Sequence, residues 1–502
     1  MNNGNICISI CAKTADELFK KVERAEPLAD LIELRFDCLE PSEIKTVLKR
    51  IADLPEMSNT LIATYRTPEQ GGMRKISEDE RDRFWNGGNS SLFFGGDLEE
   101  DVIEASLAAN WKNRICSRHA QSGKIFDPEA AYDDLSKTGA SVIKIASFSD
   151  EAADAIEVWT LINRADQDGK PMIPIAMGEA GKWTRILGLA HGAFLTYASL
   201  ESGSETAPGQ ISADEMIDIF RVKEINKETE VYGIVAADTS YSVSPWMQNA
   251  AFKATEMNRV FVPFQTTDLD RFIDRMVEPD TREVELNLAG FSVTNPHKRA
   301  IIQHLDFIEP AAKAIGAVNT VKIIDGKLHG YNTDAPGFIA PLIKVRGDVK
   351  GARVAIVGAG GAARACAYVL KQGGAKVTIF ARRQKRAAAL AEEFGIKEGS
   401  SKHSFRPGTV DILVNATPLG TKGPLQDASI AVASQMNGIK LVYDLVYNPI
   451  ETRLISEARK AGVAALGGLD MLLAQGARQF EIWTGEKAPL DPIRKAILKK
   501  LK

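Results

Sequence analysis

The chain has few cysteines, little net charge and no long hydrophobic run. Its 502 residues include 5 cysteines, which are scattered and form no C-x-x-C pair, so we expect neither a disulfide framework nor a structural zinc site. The formal net charge of -4 provides no general attraction to nucleic acid or to an anionic membrane. No apolar stretch could span a bilayer, and the first residues do not have the pattern of a secretory signal peptide. These absences favour a cytoplasmic protein that has no nucleic-acid, membrane or metal partner.

The composition is that of a folded enzyme with more than one domain. Hydrophobic residues make up 44% of the chain and charged residues 25%, which is typical of soluble globular proteins. A chain of 502 residues is too long for one ordinary hydrophobic core, so two or three domains are expected. A charged linker at 221–230 precedes a new apolar strand and predicts a boundary near residue 227.

The first 200 residues alternate short apolar runs with amphipathic stretches of helical spacing. Eight of these runs are typical of β-strands: NICISIC, LIELRFD, LIATYR, LFFGGDLE, RICSRHA, SVIKIA, MIPIAMG and FLTYAS. Eight repeats of strand and helix predict a closed parallel (β/α)8 barrel, whose chemistry belongs at the carboxyl ends of the strands. A capping box that begins at Ser212 predicts the helix that closes the barrel.

Lys144 lies inside the sixth apolar run, between two isoleucines. Burial disfavours the charged form of an amine, so the pKa of Lys144 should fall and the side chain could act as a nucleophile. A lysine can also protect an exposed sheet edge, but a closed barrel has no such edge. His119 ends the fifth run and could be a base or a structural residue. Glu33 and Arg35 share a face of the second run, where they could bind a substrate or form an ion pair.

A second lysine, Lys298, closes the polar turn FSVTNPHK and is followed by the segments GAVNT and GYNTD. A nearby carboxylate such as Asp334 would keep this lysine charged, and it could then donate a proton or polarise a carbonyl. Taken singly, these segments could also be a turn before a helix and an Asx turn. The contrast with Lys144 suggests two active sites in one chain.

The strongest local motif of the second half is VAIVGAGGAARACAYVL. It predicts a buried strand, a glycine turn and a helix, in the order of a dinucleotide-binding fold. The next strand, AKVTIF, ends without the acidic residue that binds an NAD ribose and continues into ARRQKR. We therefore expect NADP, with a solvated basic helix start as the alternative. The cofactor-binding residues expected from this motif are Gly358, Ala359, Gly360, Gly361, Ala362, Arg382, Arg383 and Arg386.

The first half resembles the type I 3-dehydroquinate dehydratases over about residues 5 to 225. The resemblance is carried by residues 33–35, Arg66 with 71–72, 117–119, 142–146, 177–178 with Arg185, and 207–210. It implies that Lys144 forms an imine with the substrate ketone and that His119 removes the adjacent proton and helps to expel water. Many family members have a glutamate that orients the histidine, where this chain has Gln70. The implied substrate-binding residues are Glu33, Arg35, Arg66, Arg185, Thr206 and Gln210.

The second half is similar to the shikimate dehydrogenases over nearly all of residues 231 to 500, through YSVSP, FSVTNPHK, GAVNT, GYNTD, NATPLG and the segment after residue 466. The resemblance implies that Lys298 and Asp334 form the catalytic pair and that Asn415 and Thr417 lie against the cofactor. The implied substrate-binding residues are Ser242, Ser244, Thr294, Asn319, Tyr447 and Gln475.

The chain as a whole therefore resembles the bifunctional 3-dehydroquinate dehydratase/shikimate dehydrogenase family. Its small-molecule partners would be 3-dehydroquinate, 3-dehydroshikimate and shikimate. Two alternatives stay open, namely quinate dehydrogenase activity in the second half and a non-catalytic metabolite sensor. The expected domains are a (β/α)8 dehydratase domain at 1–226, a substrate-binding lobe at 227–335, an NADP-binding Rossmann lobe at 336–466 and returning C-terminal helices at 467–502.

Overall fold

The computed structural model describes residues 2, 4–104, 109–121, 125–399 and 408–501. The chain divides into two compact units. The first contains Met1–Gly233, Ala237–Tyr241 and Asn258–Leu288, and the second contains Ile234–Ala236, Ser242–Met257 and Ala289–Lys502. Among the helices of the described residues, none combines the length and hydrophobicity that a membrane span requires.

Eight parallel strands form a barrel in the first unit. They are β1 (Asn5–Ile10), β2 (Leu31–Arg35), β3 (Leu61–Thr64), β4 (Gly95–Glu99), β5 (Asn113–His119), β6 (Val142–Phe148), β7 (Met172–Met177) and β8 (Leu195–Ser199). Each of the strands β1 to β6 pairs with the next strand in the chain, and β1 also pairs with β8. The amide of Phe194 donates to the carbonyl of Met172 at 2.8 Å, which joins the start of β8 to β7. The eight predicted strands and the (β/α)8 fold are confirmed.

Helices follow the strands as the amphipathic pattern predicts. They are α1 (Ala15–Ala25), α2 (Ile44–Ala52), α3 (Glu78–Asn86), α4 (Glu100–Ile103), α5 (Pro128–Leu135), α6 (Ile156–Gln167) and α7 (Lys182–Leu187). In α1 the Thr14 side chain caps the amide of Glu17, while Leu18 and Val22 are buried. The predicted closing helix forms at residues 213–219, after the two-residue β9 (Ile211–Ser212). The Ser212 hydroxyl accepts from the amide of Glu215, and Glu215–Ile219 form a π-helical turn.

Cys11 and Cys38 form a disulfide, although the sequence analysis expected no disulfide framework. The two residues are 27 positions apart, so their spacing gives no local signal. Each follows one of two neighbouring parallel strands, β1 and β2, and the pairing of these strands brings their Cα atoms to 5.4 Å. The other three cysteines, Cys7, Cys116 and Cys366, are free and buried.

After the charged segment 221–230 the sequence predicted a new strand, and β10 (Glu230–Ala236) forms there. In the first unit, β11 (Arg259–Gln265) is the hydrogen-bonded neighbour of β10, and α9 (Leu269–Met276) follows it. In the second unit the order continues from the end of β10 through β12 (Leu288–Val293), β14 (Thr320–Ile324), β15 (Lys327–Tyr331) and β13 (Phe307–Ile308). The helices of this part of the chain are α8 (Ser244–Ala254), α10 (Pro310–Ile315) and α11 (Asp334–Arg346).

The remaining strands form a parallel Rossmann sheet. The strands are β16 (Arg353–Val357), β17 (Lys376–Phe380), β18 (Lys397–Glu398), β19 (Ile412–Asn415), β20 (Leu441–Asp444) and β21 (Ala464–Leu466), in the spatial order β18-β17-β16-β19-β20-β21. The helices are α12 (Gly361–Gln372), α13 (Gln384–Phe394), α14 (Arg453–Lys460), α15 (Gly468–Thr484) and α16 (Leu490–Leu501). The strand, turn and helix predicted around residues 353–372 are confirmed.

Candidate active sites

Three side chains from even-numbered strands surround the amine of Lys144, which is itself on β6. The Nζ atom donates to Asp97 Oδ2 at 2.6 Å, lies 3.8 Å from Glu33 Oε1, and stands 4.0 Å from the centre of the Tyr197 ring. These residues come from β6, β4, β2 and β8, since alternate strands of a barrel contribute one layer of inward side chains. The layer therefore holds a lysine between two carboxylates and an aromatic face.

The environment of Lys144 favours the neutral amine more than water does. Its side chain is 5% exposed. Burial lowers the pKa of Lys144, while Asp97 and Glu33 oppose that shift. Burial alone would raise the pKa of Asp97, but the cations of Arg66 and Lys144 outweigh burial and lower it below its usual value. The ionised carboxylate is therefore favoured at Asp97, and Lys144 has the buried setting that the sequence predicted.

His119 stands at the end of β5 beside Arg66. The Arg66 Nη1 atom lies 2.5 Å from the imidazole nitrogens, and its Nη2 atom lies 2.7 Å from Asp97 Oδ2. Burial lowers the pKa of His119 well below its usual value, and the nearby cations of Arg66 and Lys144 lower it further. A neutral imidazole can accept a proton, so the geometry suits a general base.

Gln70 contacts the backbone of His119. Its Oε1 accepts from the main-chain amide of His119 at 2.8 Å, while Glu69 is exposed. The loop that carries Gln70 needs Gly72, because a Cβ there would lie 2.0 Å from the carbonyl oxygen of Arg66. Gln70 therefore fixes the histidine main chain, and the side chain placed against the ring is that of Arg66.

Other predicted residues surround the open end of the barrel. Glu33 accepts from Ser9 and from Thr64 Oγ1, the latter at 2.8 Å, and the hydroxyl of Thr206 donates to that of Ser9 at 2.9 Å. Gln210 Oε1 accepts from the amide of Thr206 at 2.7 Å. A cavity of about 400 Å³ is lined by Ser9, Arg35 and Thr206 among others, a volume suited to a small-molecule ligand.

Two arginines of the barrel have different partners. Arg35 forms a bidentate pair with Asp37 at 2.9 and 2.7 Å, so its ion-pair partner is not the Glu33 that the sequence suggested as an alternative. Arg185, on α7, is buried and donates to the carbonyl of Pro208 at 3.3 Å. Within the described residues its Nε atom has no hydrogen-bond partner, which leaves donor capacity for an anionic ligand.

In the second unit, Lys298 and Asp334 form the predicted pair. Lys298 Nζ donates to Asp334 Oδ2 at 2.5 Å, and Asn319 Nδ2 donates to Asp334 Oδ1 at 2.9 Å. The hydroxyl of Thr333 connects this group to Gln475, whose Oε1 lies 3.5 Å away. Lys298 and Asn319 thus hold the two carboxylate oxygens of Asp334. The Lys298 side chain is 18% exposed.

The other predicted substrate residues of this unit are placed by the backbone. Ser242 and Ser244 lie at the start of α8, where the amide of Ser244 donates to the Ser242 hydroxyl at 3.2 Å. Thr294 follows β12, and its amide donates to the carbonyl of Val235 at 3.1 Å. Tyr447 follows β20 and is half-buried. Their roles stay predictions.

The glycine turn after β16 fits a dinucleotide. Gly358 has a φ of +130°, and a Cβ there would lie 2.5 Å from the carbonyl oxygen of Ala416. Gly360 caps α12 without a side-chain hydrogen bond, so backbone amides at the helix start are free of a local cap. Ala359, Gly361 and Ala362 complete this turn. Gly361 also lies against Lys298, since a Cβ there would be 3.0 Å from the lysine Cδ.

The basic segment after β17 is exposed. Arg382, Arg383 and Arg386 all have exposed side chains, and Arg383 is the residue that precedes α13. On the next strand, Asn415 Nδ2 donates to Asp444 Oδ1 at 2.8 Å, and its Oδ1 accepts from the Thr417 hydroxyl at 2.7 Å. The predicted cofactor residues thus belong to the carboxyl ends of neighbouring Rossmann strands, where dinucleotides bind.

Sequence reasoning missed several residues of these networks, among them Asp97, Tyr197 and Thr333. Asp97 and Tyr197 contact the Lys144 amine, and Thr333 joins Asn319 to Gln475. The signal for Asp97 was a carboxylate two residues before Glu99, which places both on the same face of the strand. Thr333 directly precedes Asp334 in the segment GYNTD. Tyr197 had no distinguishing signal, because a tyrosine is common in strands.

Models of protein families match both halves of the chain. Residues 6–227 match the type I 3-dehydroquinase family, and 234–321 match the shikimate dehydrogenase substrate binding domain. Residues 342–418 match the shikimate / quinate 5-dehydrogenase family, and 468–498 match the shikimate 5'-dehydrogenase C-terminal domain. Fold and sites therefore define a two-part enzyme, a lysine-containing (β/α)8 barrel fused to a dehydrogenase with a Rossmann lobe.

Similar proteins extend this result over the whole chain. The bifunctional 3-dehydroquinate dehydratase/shikimate dehydrogenase, chloroplastic, of Arabidopsis thaliana is 32% identical over 98% of this chain and 83% of its own length. The shikimate dehydrogenase (NADP(+)) of Methanopyrus kandleri is 38% identical over 55% of this chain and 98% of its own length. A crystal structure of shikimate dehydrogenase in complex with NADP+ matches 55% of this chain and 98% of its own with 39% identity and a TM-score of 0.52. The chain belongs to the bifunctional 3-dehydroquinate dehydratase/shikimate dehydrogenase family.

Proposed function

We propose that the first unit dehydrates 3-dehydroquinate to 3-dehydroshikimate and that the second reduces 3-dehydroshikimate to shikimate with NADPH. The observation that carries this proposal is that each unit holds a lysine paired with an aspartate. Lys144 lies 2.6 Å from Asp97, and Lys298 lies 2.5 Å from Asp334. The product of the first reaction is the substrate of the second, which gives the fusion a chemical reason.

In the dehydratase, Lys144 attacks the substrate ketone and forms an imine. The protonated imine withdraws electrons from the adjacent carbon, so the neutral imidazole of His119 can remove a proton there. The resulting imidazolium then returns its proton to the departing hydroxyl, which leaves as water. Hydrolysis of the product imine finally releases 3-dehydroshikimate and regenerates the Lys144 amine. The free donor of Arg185 binds the substrate carboxylate, and the hydroxyl-binding residues are Glu33, Arg35, Arg66, Thr206 and Gln210.

In the reductase, Lys298 and Asp334 act on the substrate carbonyl. Lys298 polarises the oxygen and donates the proton that the alkoxide needs, while Asp334 holds the lysine in place. Asn319 and Gln475 bind ring hydroxyls, Thr294 and Tyr447 line the ring site, and Ser242 and Ser244 bind the carboxylate. NADPH, when bound at the turn of 358–362, supplies a hydride. The exposed side chains of Arg382, Arg383 and Arg386 bind its 2′-phosphate.

A coupled assay tests this proposal. The protein is supplied with 3-dehydroquinate and NADPH, and the loss of NADPH absorbance is followed together with the appearance of shikimate. NADH and quinate with NAD are the comparison arms, since quinate oxidation is the competing activity for the second unit. A chain that consumes no NADPH with 3-dehydroshikimate would not be a shikimate dehydrogenase. We also propose a cytoplasmic location, which cell fractionation would test.

A further inference from the structure

Asp97 is the carboxylate closest to the reacting nitrogen of the barrel. It is 2% exposed on β4, and its Oδ2 atom accepts from Lys144 Nζ at 2.6 Å and from Arg66 Nη2 at 2.7 Å. Lys144 is 47 residues away along the chain. Neither the barrel motif nor the proposed roles of Lys144 and His119 assign any task to this side chain.

The charges in the layer explain what a carboxylate is needed for. The Lys144 ammonium and a ketone combine to give an iminium and one water molecule. A C–N double bond replaces the C–O double bond, and the carbonyl oxygen leaves with two of the three ammonium protons. One positive charge therefore stands at Nζ before and after imine formation. A carboxylate within 3 Å can pair with that charge in the ammonium and in the iminium without giving or taking a proton.

Asp97 also connects the nucleophile Lys144 with the base His119, through Arg66. The Arg66 side chain that it holds is the one in contact with the ring of His119, at 2.5 Å. Glu33 cannot replace it at the amine, because its Oε1 is 3.8 Å from Lys144 Nζ and accepts instead from Thr64. In this chain, where Gln70 binds only the main chain of His119 among the described contacts, the arginine takes the position beside the imidazole.

We propose that Asp97 is a catalytic residue of the dehydratase, the counter-ion of the nitrogen of Lys144 in both its ammonium and iminium forms, and that it positions His119 through Arg66. The inference rests on the proposed dehydratase function. It predicts that loss of the carboxylate charge at residue 97 slows the steps after imine formation while Lys144 still reacts.

The test is the isosteric substitution Asp97→Asn in the full-length chain. We expect kcat for dehydration to fall roughly 100-fold, about the effect of removing one charge-stabilising group from an active site. Borohydride added with 3-dehydroquinate should still trap an adduct on Lys144, detected by mass spectrometry. Because Asp97 opposes the burial that lowers the pKa of Lys144, its loss should shift the pH midpoint of trapping to a lower pH. A purely structural role would not move that midpoint in this direction.

Two further variants make the test specific. Glu99→Gln removes a buried carboxylate from the same strand, but Glu99 binds Thr67 and Arg81, so the pH midpoint of trapping should stay at the wild-type value. Asp97→Glu keeps the charge and should keep the midpoint near that of the wild type. It serves as the second probe if the asparagine variant does not fold, which the reductase activity and a thermal melt of the same sample report.

The outcomes separate this inference from the proposed function. If wild-type protein gives no adduct on Lys144, the imine mechanism and this inference both fail. If wild-type protein is trapped and Asp97→Asn retains wild-type kcat, or keeps the wild-type pH midpoint, only the role of Asp97 is overturned.

Discussion

The two lysine–aspartate pairs of this chain have similar distances and different surroundings. Lys144 and Asp97 have side-chain exposures of 5% and 0%, inside a layer that also holds a second carboxylate and an aromatic ring. Lys298 and Asp334 have exposures of 18% and 7%, and the lysine stem lies against the glycine turn of the Rossmann lobe. Enclosure makes the first lysine a candidate nucleophile. The second is a cation next to the expected cofactor site, where a carbonyl needs to be polarised.

Exchange of each lysine for alanine should have the largest effect, because it should abolish one activity and leave the other. Lys144→Ala removes the nucleophile, so dehydration should fall by more than about 10³-fold while reduction of 3-dehydroshikimate continues. Lys298→Ala should lower reduction by roughly 10² to 10⁴-fold, the range for a general acid, and leave dehydration intact. Separate assays with each substrate measure both rates. Lys327→Ala, an exposed lysine of the second unit, is the control. A loss of both activities in either variant would argue against independent sites.

The disulfide should contribute to the stability of the first unit only, since both of its cysteines lie there. It closes a loop between Cys11 and Cys38, and reduction by a dithiol should destabilise the barrel by about 2–4 kcal/mol. With the dithiol, the barrel transition in a thermal melt and the loss of dehydratase activity should both move to lower temperature, while the temperature at which 3-dehydroshikimate reduction is lost should not change. A Cys11→Ser/Cys38→Ser variant should show the same melt with and without the dithiol. An additional shift in that variant would point to the buried free cysteines instead.

The arginines after β17 should decide the cofactor of the second unit. Replacement of Arg382 and Arg383 by alanine removes charged hydrogen bonds of roughly 1.5–3 kcal/mol in total, so the Kd for NADPH should rise about 10- to 100-fold. The Kd for NADH should change little, as titration calorimetry with both cofactors would show. Lys376→Ala, at the opposite end of the same strand, is the matched control. Equal losses for both cofactors would contradict the assigned phosphate contacts.

The smallest predicted effect is on pH dependence. Burial and the neighbouring cations of Arg66 and Lys144 lower the pKa of His119 well below 6.5, so the base stays neutral in mildly acidic solution. As pH falls, protonation would remove the base, and the acid limb of kcat for dehydration should have its midpoint below pH 6.5. Rates at saturating 3-dehydroquinate between pH 5 and 8 would locate it. A midpoint at or above 6.5 would mean that His119 is not in this environment during turnover.

Much of the fold could be predicted because it follows local patterns. The eight apolar runs became the eight barrel strands, and the strand–glycine–helix motif became β16 and α12. The predicted closing helix also forms with its Ser212 cap, and only its π-helical turn, Glu215–Ile219, had no local signal. The disulfide was not predicted, because its two cysteines are 27 residues apart in the chain and follow strands that are adjacent in the barrel.

The candidate sites, too, could be predicted only where local patterns mark their residues. The segments NPHK and GYNTD identified Lys298 and Asp334, and the two residues do pair, but no pattern indicated that Thr333 joins Asn319 to Gln475. Gln70 was identified as a departure from the family. Its contact with the main chain of His119, and the position of Arg66 at the ring, depend on how the loop after β3 folds back.

The sequence by itself determined the periodicities, the glycine turn and the apolar surroundings of Lys144, because each depends on residues a few positions apart. Only the tertiary structure decided which charges share a layer. Lys144 meets Asp97 across 47 residues, and Arg66 meets His119 across 53. Barrel closure and strand register bring alternate strands into contact, and no local pattern encodes that pairing. The partner of the nucleophile was therefore visible only in the folded chain.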